Sequence, residues 1–258
     1  MPSYYAHYRF GLKALDCLPP EGKRAVRRFR SLYDVGLHGP DLFYFYALPM
    51  KSRVTVLGSK FHNMTGEEFF SRICKHLRLE PSEAAMAYLY GVLTHYCLDA
   101  AVHGFVGDET ADGKIGHIEL EAEFDRYLLR LDGNLRPHLY DNSPHMKLTQ
   151  GECATVAGFY GTTPSNVELS LKCMAANAKM VATSNRELRK LIKACSGPKM
   201  RQNFTERTAN PQCAHLDEPM LALYDEALVK FPAMVENLEA HMSRNTPLGE
   251  LFEATFNG

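Results

Sequence analysis

The sequence has no tryptophan, no C-x-x-C pair, almost no net charge and no apolar run long enough to cross a bilayer. Each of the last three absences removes a class of protein. The seven cysteines, at 17, 74, 97, 153, 173, 195 and 213, are odd in number and scattered. Neither a disulfide framework nor a thiolate zinc site is indicated, and reduced thiols in a cytosolic protein are the simplest reading. Lys and Arg number 29 against 30 Asp and Glu, a formal charge of −1 that argues against a strongly basic nucleic-acid footprint and against an acidic tail. A membrane helix needs about 20 consecutive apolar residues, and the longest candidate, residues 84–93, ends in Thr94-His95. His7, Arg9 and Lys13 interrupt the first residues before a signal-peptide core can form, so the expected location is the cytoplasm.

What is present is an ordinary globular composition, 45% apolar and 23% charged, with eleven histidines, a high count for 258 residues. Helix signals dominate. Thr65 with Glu68 three residues later is a capping-box pattern, followed by Phe69, Phe70, Ile73 and Leu77 at helical spacing. Further helices are predicted over 22–33, from Ser82 to about Val106, over 118–131, as one long element over 165–195, and from 218 to about 242 with Pro232 as a kink. Residues 53–57 (Arg-Val-Thr-Val-Leu) give the best strand signal, and it is short. Loops are expected at 34–41, 107–116, 132–150 and 197–217, with no internal repeat and no interdomain linker. The prediction is one all-α, multi-helix domain over 1–258, with functional groups between its helices.

The densest chemistry lies in residues 95–103. On a helix, His95 and Asp99 stand four apart on one face and can share an ion, while His103, two turns from His95, suits a neighbouring ion. His117 and Glu121 repeat the four-residue spacing. Imidazole and carboxylate are donors that Zn²⁺ accepts. Chance alone supplies roughly one H-x-x-x-[DE] match in such a composition, but only about 0.05 matches once a further His four residues on is required. Hydrogen-bonded core histidines are the competing explanation, although burying Asp99 beside them without a counter-ion is costly.

The order Ala6-His7-Tyr8, Gly39-Pro40-Asp41, Phe61-His62-Asn63, His95-x-x-x-Asp99, His103, His117-x-x-x-Glu121 resembles the zinc-dependent phospholipase C family, whose all-helical fold is shared by zinc-dependent single-strand nucleases. The resemblance covers about the first 125 residues. It implies two or three zinc ions: one held by Asp41, His62, His95 and Asp99, a second by His103, His117 and Glu121, and a third by His7, Asp99 as a bridge, and the chain's own N-terminus. It also implies a general-base role for Asp41. Three departures stand out. The family's N-terminal tryptophan chelate has no counterpart, and Pro2 would have to supply the amine after loss of Met1. Asp99 and His103 stand closer than in the family. Leu42 follows Asp41 where an aromatic head-group contact would be expected, leaving Phe43, Tyr44, Phe45 and Tyr46 as substitutes or as core.

Weaker candidates are His38, near the proposed site, and His145, which would line its mouth. His76, His138, His215 and His241 are expected at the surface, and Lys23, Arg24, Arg27, Arg28 and Arg30 form a basic stripe of the kind that is most often a solvated face. The resemblance implies a hydrolase acting on a phospholipid or small phosphodiester. A nuclease on single-stranded nucleic acid is the alternative, which the balanced charge disfavours, and a non-catalytic zinc-stabilised module is the other.

Overall fold

The computed structural model describes residues 4–47 and 52–258. At its centre is α6 (Glu83–Thr110), the helix that carries His95, Asp99 and His103. Ser82 caps it by accepting the amide of Ala85 at 3.2 Å. From Tyr88 to Asp99 every residue of α6 is buried, so no polar stripe faces water and the helix has to be wrapped on all sides. The wrapping comes from α1 (Tyr4–Ala14), α2 (Pro20–Arg28), α3 (Arg30–Gly36), α7 (His117–Leu131) and α12 (Asp217–Arg244). The tightest crossing is between α3 and α6. A Cβ on Gly91 would sit 2.4 Å from the Tyr33 carbonyl oxygen, and one on Gly36 2.7 Å from the Tyr88 carbonyl, so both backbones approach where neither helix has a side chain.

The remaining elements complete the wall: α4 (Thr55–His62), α5 (Gly66–Leu79), α8 (Gln150–Tyr160), α9 (Pro164–Val181), α10 (Arg186–Cys195) and α11 (Pro198–Gln202). The Thr65–Glu68 capping box forms, with Thr65 Oγ1 accepting the Glu68 amide and Glu68 accepting that of Thr65, both at 3.2 Å. Aromatic edges fill the space beneath α5. Phe69, Phe70, Tyr96, Phe252 and Phe256 pack at centroid distances of 4.9 to 5.9 Å, the range in which edge-to-face pairs are favourable.

Four expectations are corrected. Residues 53–57 form no strand: Val54 and Thr55 lead into α4, because Ser52 Oγ accepts the amides of both while Thr55 Oγ1 accepts that of Ser52, a local capping turn that outweighs β-branched propensity. The long helix over 165–195 is two helices, broken at residues 182–185, where Asn185 accepts the Leu188 amide at 3.0 Å and starts α10 anew. The helix over 22–33 is likewise divided, at Phe29, whose φ of −122° and ψ of 49° end α2 and begin α3. The expected loops are shorter than foreseen, since α6 continues to Thr110 and short 3-10 turns occupy Gly39–Phe45, Pro137–Leu139 and Ser143–His145. Among the described residues there is no strand, only a bridge between Thr65 and Thr255. None of the helices described is long and apolar enough to cross a membrane.

Candidate metal centre

Five segments deliver the eight candidate ligands to one place. The first is α1, with His7 on its second turn; its opening amides, those of Tyr5 and Ala6, donate to the two oxygens of Asp125 at 2.9 and 2.8 Å. The 3-10 turn after α3 brings Asp41, and Gly39 makes the bend at φ 45° with the His95 ring filling the place where a Cβ would stand. The last residue of α4 is His62, whose Nδ1–H donates to the Gly58 carbonyl at 2.7 Å, one turn back. That bond sets the tautomer and leaves Nε2 to face Asp41 Oδ1 at 2.9 Å. His95, Asp99 and His103 line one face of α6 at successive four-residue steps, and His117 and Glu121 open α7.

Asp99 lies in the middle. Its Oδ1 is 3.1 Å from His7 Nε2, while its Oδ2 is 3.1 Å from His95 Nε2, 3.6 Å from His103 Nδ1 and 3.8 Å from His62 Nε2. On the outer side, Glu121 Oε1 is 3.1 Å from His103 Nε2 and 3.4 Å from His117 Nε2. Donor atoms converge in three sets, each within 4.8 Å: Asp41, His62 and His95; His7, His95 and Asp99; His103, His117 and Glu121. The third of these is the set expected for one ion. In the other two, His95 stands with both neighbours and Asp99 falls with His7, a small redistribution of the expected grouping. The N-terminal amine expected at the His7 position lies outside the described residues. The close spacing of Asp99 and His103 does no harm, because one helical turn leaves His103 Nε2 facing α7.

The charge balance argues for a cation. Burial pushes the Asp99 carboxyl up, but His103, His95 and His7 outweigh it and hold it well below the usual carboxylate range. Asp41 is likewise lowered by His62 against its own burial, and His62 is raised by Asp41 in return. His95, fully buried, is pushed down by desolvation, which keeps it a neutral donor. His103 is driven the other way: Asp99 and Glu121 overcome its burial and push it up to about 10. His95 Nε2 and Asp99 Oδ2, though 3.1 Å apart, make no hydrogen bond, and His95 Nδ1 and His7 Nδ1 are buried without one. Buried polar groups left in that state cost several kcal/mol together. Two donors about 2.1 Å from a tetrahedral zinc lie roughly 3.4 Å apart, and the donor pairs here are separated by 2.9 to 3.8 Å. The donor set fits zinc.

Exposure separates the three sets. The side chains of Asp41, His62, His95 and Asp99 are at most 4% exposed, whereas that of His117 is 40% exposed. The His103–His117–Glu121 set therefore forms the edge of the centre open to water.

Neighbouring residues sort themselves by contact. Buried His38 and the more accessible His145 pair with each other, Nε2 to Nε2 at 3.0 Å, and His145 stacks on Tyr8 at 4.2 Å. Burial first, then proximity to His145, keeps His38 well below its usual range, and His145 is pushed down to about 4 by burial and Arg30. Phe43 and Phe45 are core residues, while the Tyr44 hydroxyl lies 3.3 Å from His62 Nδ1. His241, expected on the surface, is buried, with Nδ1–H donating to the Thr246 carbonyl at 2.6 Å. Members of the basic stripe are engaged locally: Arg30 with Asp34, Arg28 with Glu83, Lys23 with the Asp16 carbonyl. Sequence reasoning missed Asp125, although the steps 117, 121, 125 continue one helical face. It also missed residues 254–257, which carry no motif.

A family model described as zinc dependent phospholipase C matches residues 6–187, a stretch that contains all eight candidate ligands. No curated protein and no solved structure gives a significant match.

Proposed function

The chain belongs to the zinc-dependent phospholipase C family, and from that footing we propose that it is a phosphoester hydrolase acting on a phospholipid or small phosphodiester at the centre built on α6. The observation that carries this is the convergence of three donor sets, two sealed and one open at His117. A structural zinc site is closed on all sides by protein, whereas a catalytic one keeps an accessible position. The open edge favours catalysis over a zinc-stapled helical module.

On this proposal Asp41, His62 and His95 hold one ion, His103, His117 and Glu121 a second, and His7 with Asp99 contribute to a third. Zinc bound there supplies positive charge to a phosphoryl group and makes a nearby water more acidic. The protein's own groups do the rest. Asp41, whose Oδ1 lies 2.9 Å from His62 Nε2, accepts the proton of the attacking water. Asp99 carries its negative charge between the sets, facing His7 through Oδ1 and His95 and His103 through Oδ2. His117 is the donor that meets solvent, so substrate approaches from its side. The surrounding aromatic and aliphatic wall excludes bulk water from the inner donors and strengthens each electrostatic contact. We also propose that residues 1–258 work as one domain, and that the enzyme is cytoplasmic, in keeping with seven free cysteines.

The test is zinc content by elemental analysis alongside turnover of a soluble phospholipid and a single-stranded oligonucleotide. At least two zinc ions per chain and phospholipid turnover are expected, with both reduced by His95→Ala. Fewer than two ions, or a His95→Ala protein with unchanged zinc and turnover, refutes the proposal; preference for the oligonucleotide makes the enzyme a nuclease.

A further inference from the structure

Segment 248–258 follows α12 and lies beyond the family match, yet it reaches the metal centre. Leu248, Phe252 and Phe256 are fully buried and fix its path under α5. The Ala254 carbonyl accepts the amide of Gly66 at 2.9 Å and the Tyr96 hydroxyl at 2.9 Å, tying the segment to the start of α5 and the middle of α6. The Phe256 ring then lies 5.8 Å from that of His62 and 5.9 Å from that of His95. Its carbonyl accepts Nδ1–H of His103 at 2.8 Å. The next side chain, Asn257, donates through Nδ2 to the His62 carbonyl at 3.2 Å and to Asn63 Oδ1 at 3.0 Å.

From this we infer that residues 254–257 are a positioning device for the metal centre: the Phe256 carbonyl, whose peptide unit is anchored by Asn257, holds the His103 ring with Nε2 turned toward Glu121 and His117. The inference rests on the zinc reading of this centre. A carbonyl can only accept, so the 2.8 Å bond puts the proton on Nδ1 and reserves Nε2 as the donor to an ion. His62 receives the same service from its own helix through Gly58. No carbonyl of α6 does this for His103; its support is imported from 153 residues away. Because one peptide unit is fixed to the end of α4 by Asn257 and to α6 through His103, it also sets the spacing between ligands of two different donor sets. Partners of this outer kind typically change metal affinity ten- to a hundredfold when removed.

Phe256→Ala empties a buried aromatic site and can unfold the chain, so Asn257→Ala, at an exposed residue, is the decisive variant. Zinc affinity is measured by chelator competition on the intact protein. The Nδ1–H resonance of His103 is followed by long-range ¹H–¹⁵N NMR with and without zinc. In the unaltered chain a protected Nδ1–H signal is expected in both states. Asn257→Ala is expected to weaken one zinc about tenfold and to expose that proton to rapid exchange, with little change in thermal midpoint. If Asn257→Ala keeps every zinc affinity and the protected signal, the positioning role is overturned. If the unaltered chain binds no zinc, the functional proposal fails instead, and the NMR signal of the zinc-free chain still tests the His103 contact by itself.

Discussion

Adding one methyl group to Gly91 should damage both the fold and the metal centre, whereas the same change at Gly107, sixteen residues along the same helix, should do neither. A Cβ at 91 would lie 2.4 Å from the Tyr33 carbonyl oxygen and 2.8 Å from Gly36 Cα, against an ordinary contact of 3.4 Å or more. These are backbone atoms, so no rotamer relieves the clash and α3 must move off α6 by about 1 Å, a form of overpacking that costs about 1–3 kcal/mol. A chain of this size loses about 2–4 °C per kcal/mol, so Gly91→Ala is expected to lower the thermal midpoint by roughly 2–12 °C. At Gly107 a Cβ meets nothing within 4 Å, and replacing a helical glycine by alanine gains about 0.5–1 kcal/mol. Because α3 runs into the turn that holds Asp41 while α6 holds His95, the same shift separates two donors of one set. Zinc loading should fall with stability in Gly91→Ala only. Differential scanning calorimetry with elemental analysis measures both quantities. Equal midpoints for the two variants would refute the claim that the glycine crossing sets the α3–α6 distance.

Asp125→Ala should cost about 2–4 kcal/mol, since it strands the half-buried amide of Tyr5 and the buried amide of Ala6 at the start of α1, and zinc beside His7 should be lost first on chelator titration. Burial pushes the Asp125 carboxyl up to about 7, so the folded chain holds this proton more tightly than the unfolded one. Its contribution is complete below pH 3.8 and is lost as the pH rises through about 7; denaturant titrations of zinc-free protein across pH 4–8 should show this slope, and Asp125→Asn should remove it. His103, pushed up to about 10, makes a similar contribution in zinc-free protein, complete below pH 6.5 and lost as the pH climbs to about 10. Zinc must displace that proton, so calorimetry near pH 8 in buffers of different ionisation enthalpy should register about one proton released per ion at this set. His117→Ala should abolish turnover while leaving the thermal midpoint of zinc-free protein within about 2 °C, because the side chain is partly exposed and packs little; a large fall in midpoint would contradict the open edge.

The site was legible where its chemistry follows helical spacing. His95, Asp99 and His103 stand four apart, as do His117 and Glu121, and a helix places such residues on one face without help from the rest of the fold. The helix that carries the first three was read from its start at Ser82, but its place at the centre, buried on every side from Tyr88 to Asp99, emerged only with the packing of its neighbours. Asp41, His62 and His7 were placed through resemblance, since their approach depends on how α1, α4 and the turn after α3 dock. The errors share one cause. Val54, Thr55, Phe29 and residues 182–185 lie where a hydroxyl, an amide side chain or a docked neighbour decides the backbone, and propensity averaged over a window does not register a single cap. Residues 254–257 were invisible for another reason: what Phe256 offers His103 is a main-chain carbonyl, which any residue type possesses.

Asp99 gives each of its oxygens to different neighbours, Oδ1 to His7 and Oδ2 to His95, His103 and His62. A carboxylate divided in this way makes the three positions electrically interdependent. An ion entering beside His95 draws the charge of Asp99 toward itself and lessens what remains for a cation beside His7, while the imidazoles it immobilises become better prepared for the next arrival. With zinc bound as proposed, occupancy is then not a sum of independent equilibria: the affinity at any one position depends on which of the others are already filled, and by the same factor in either direction.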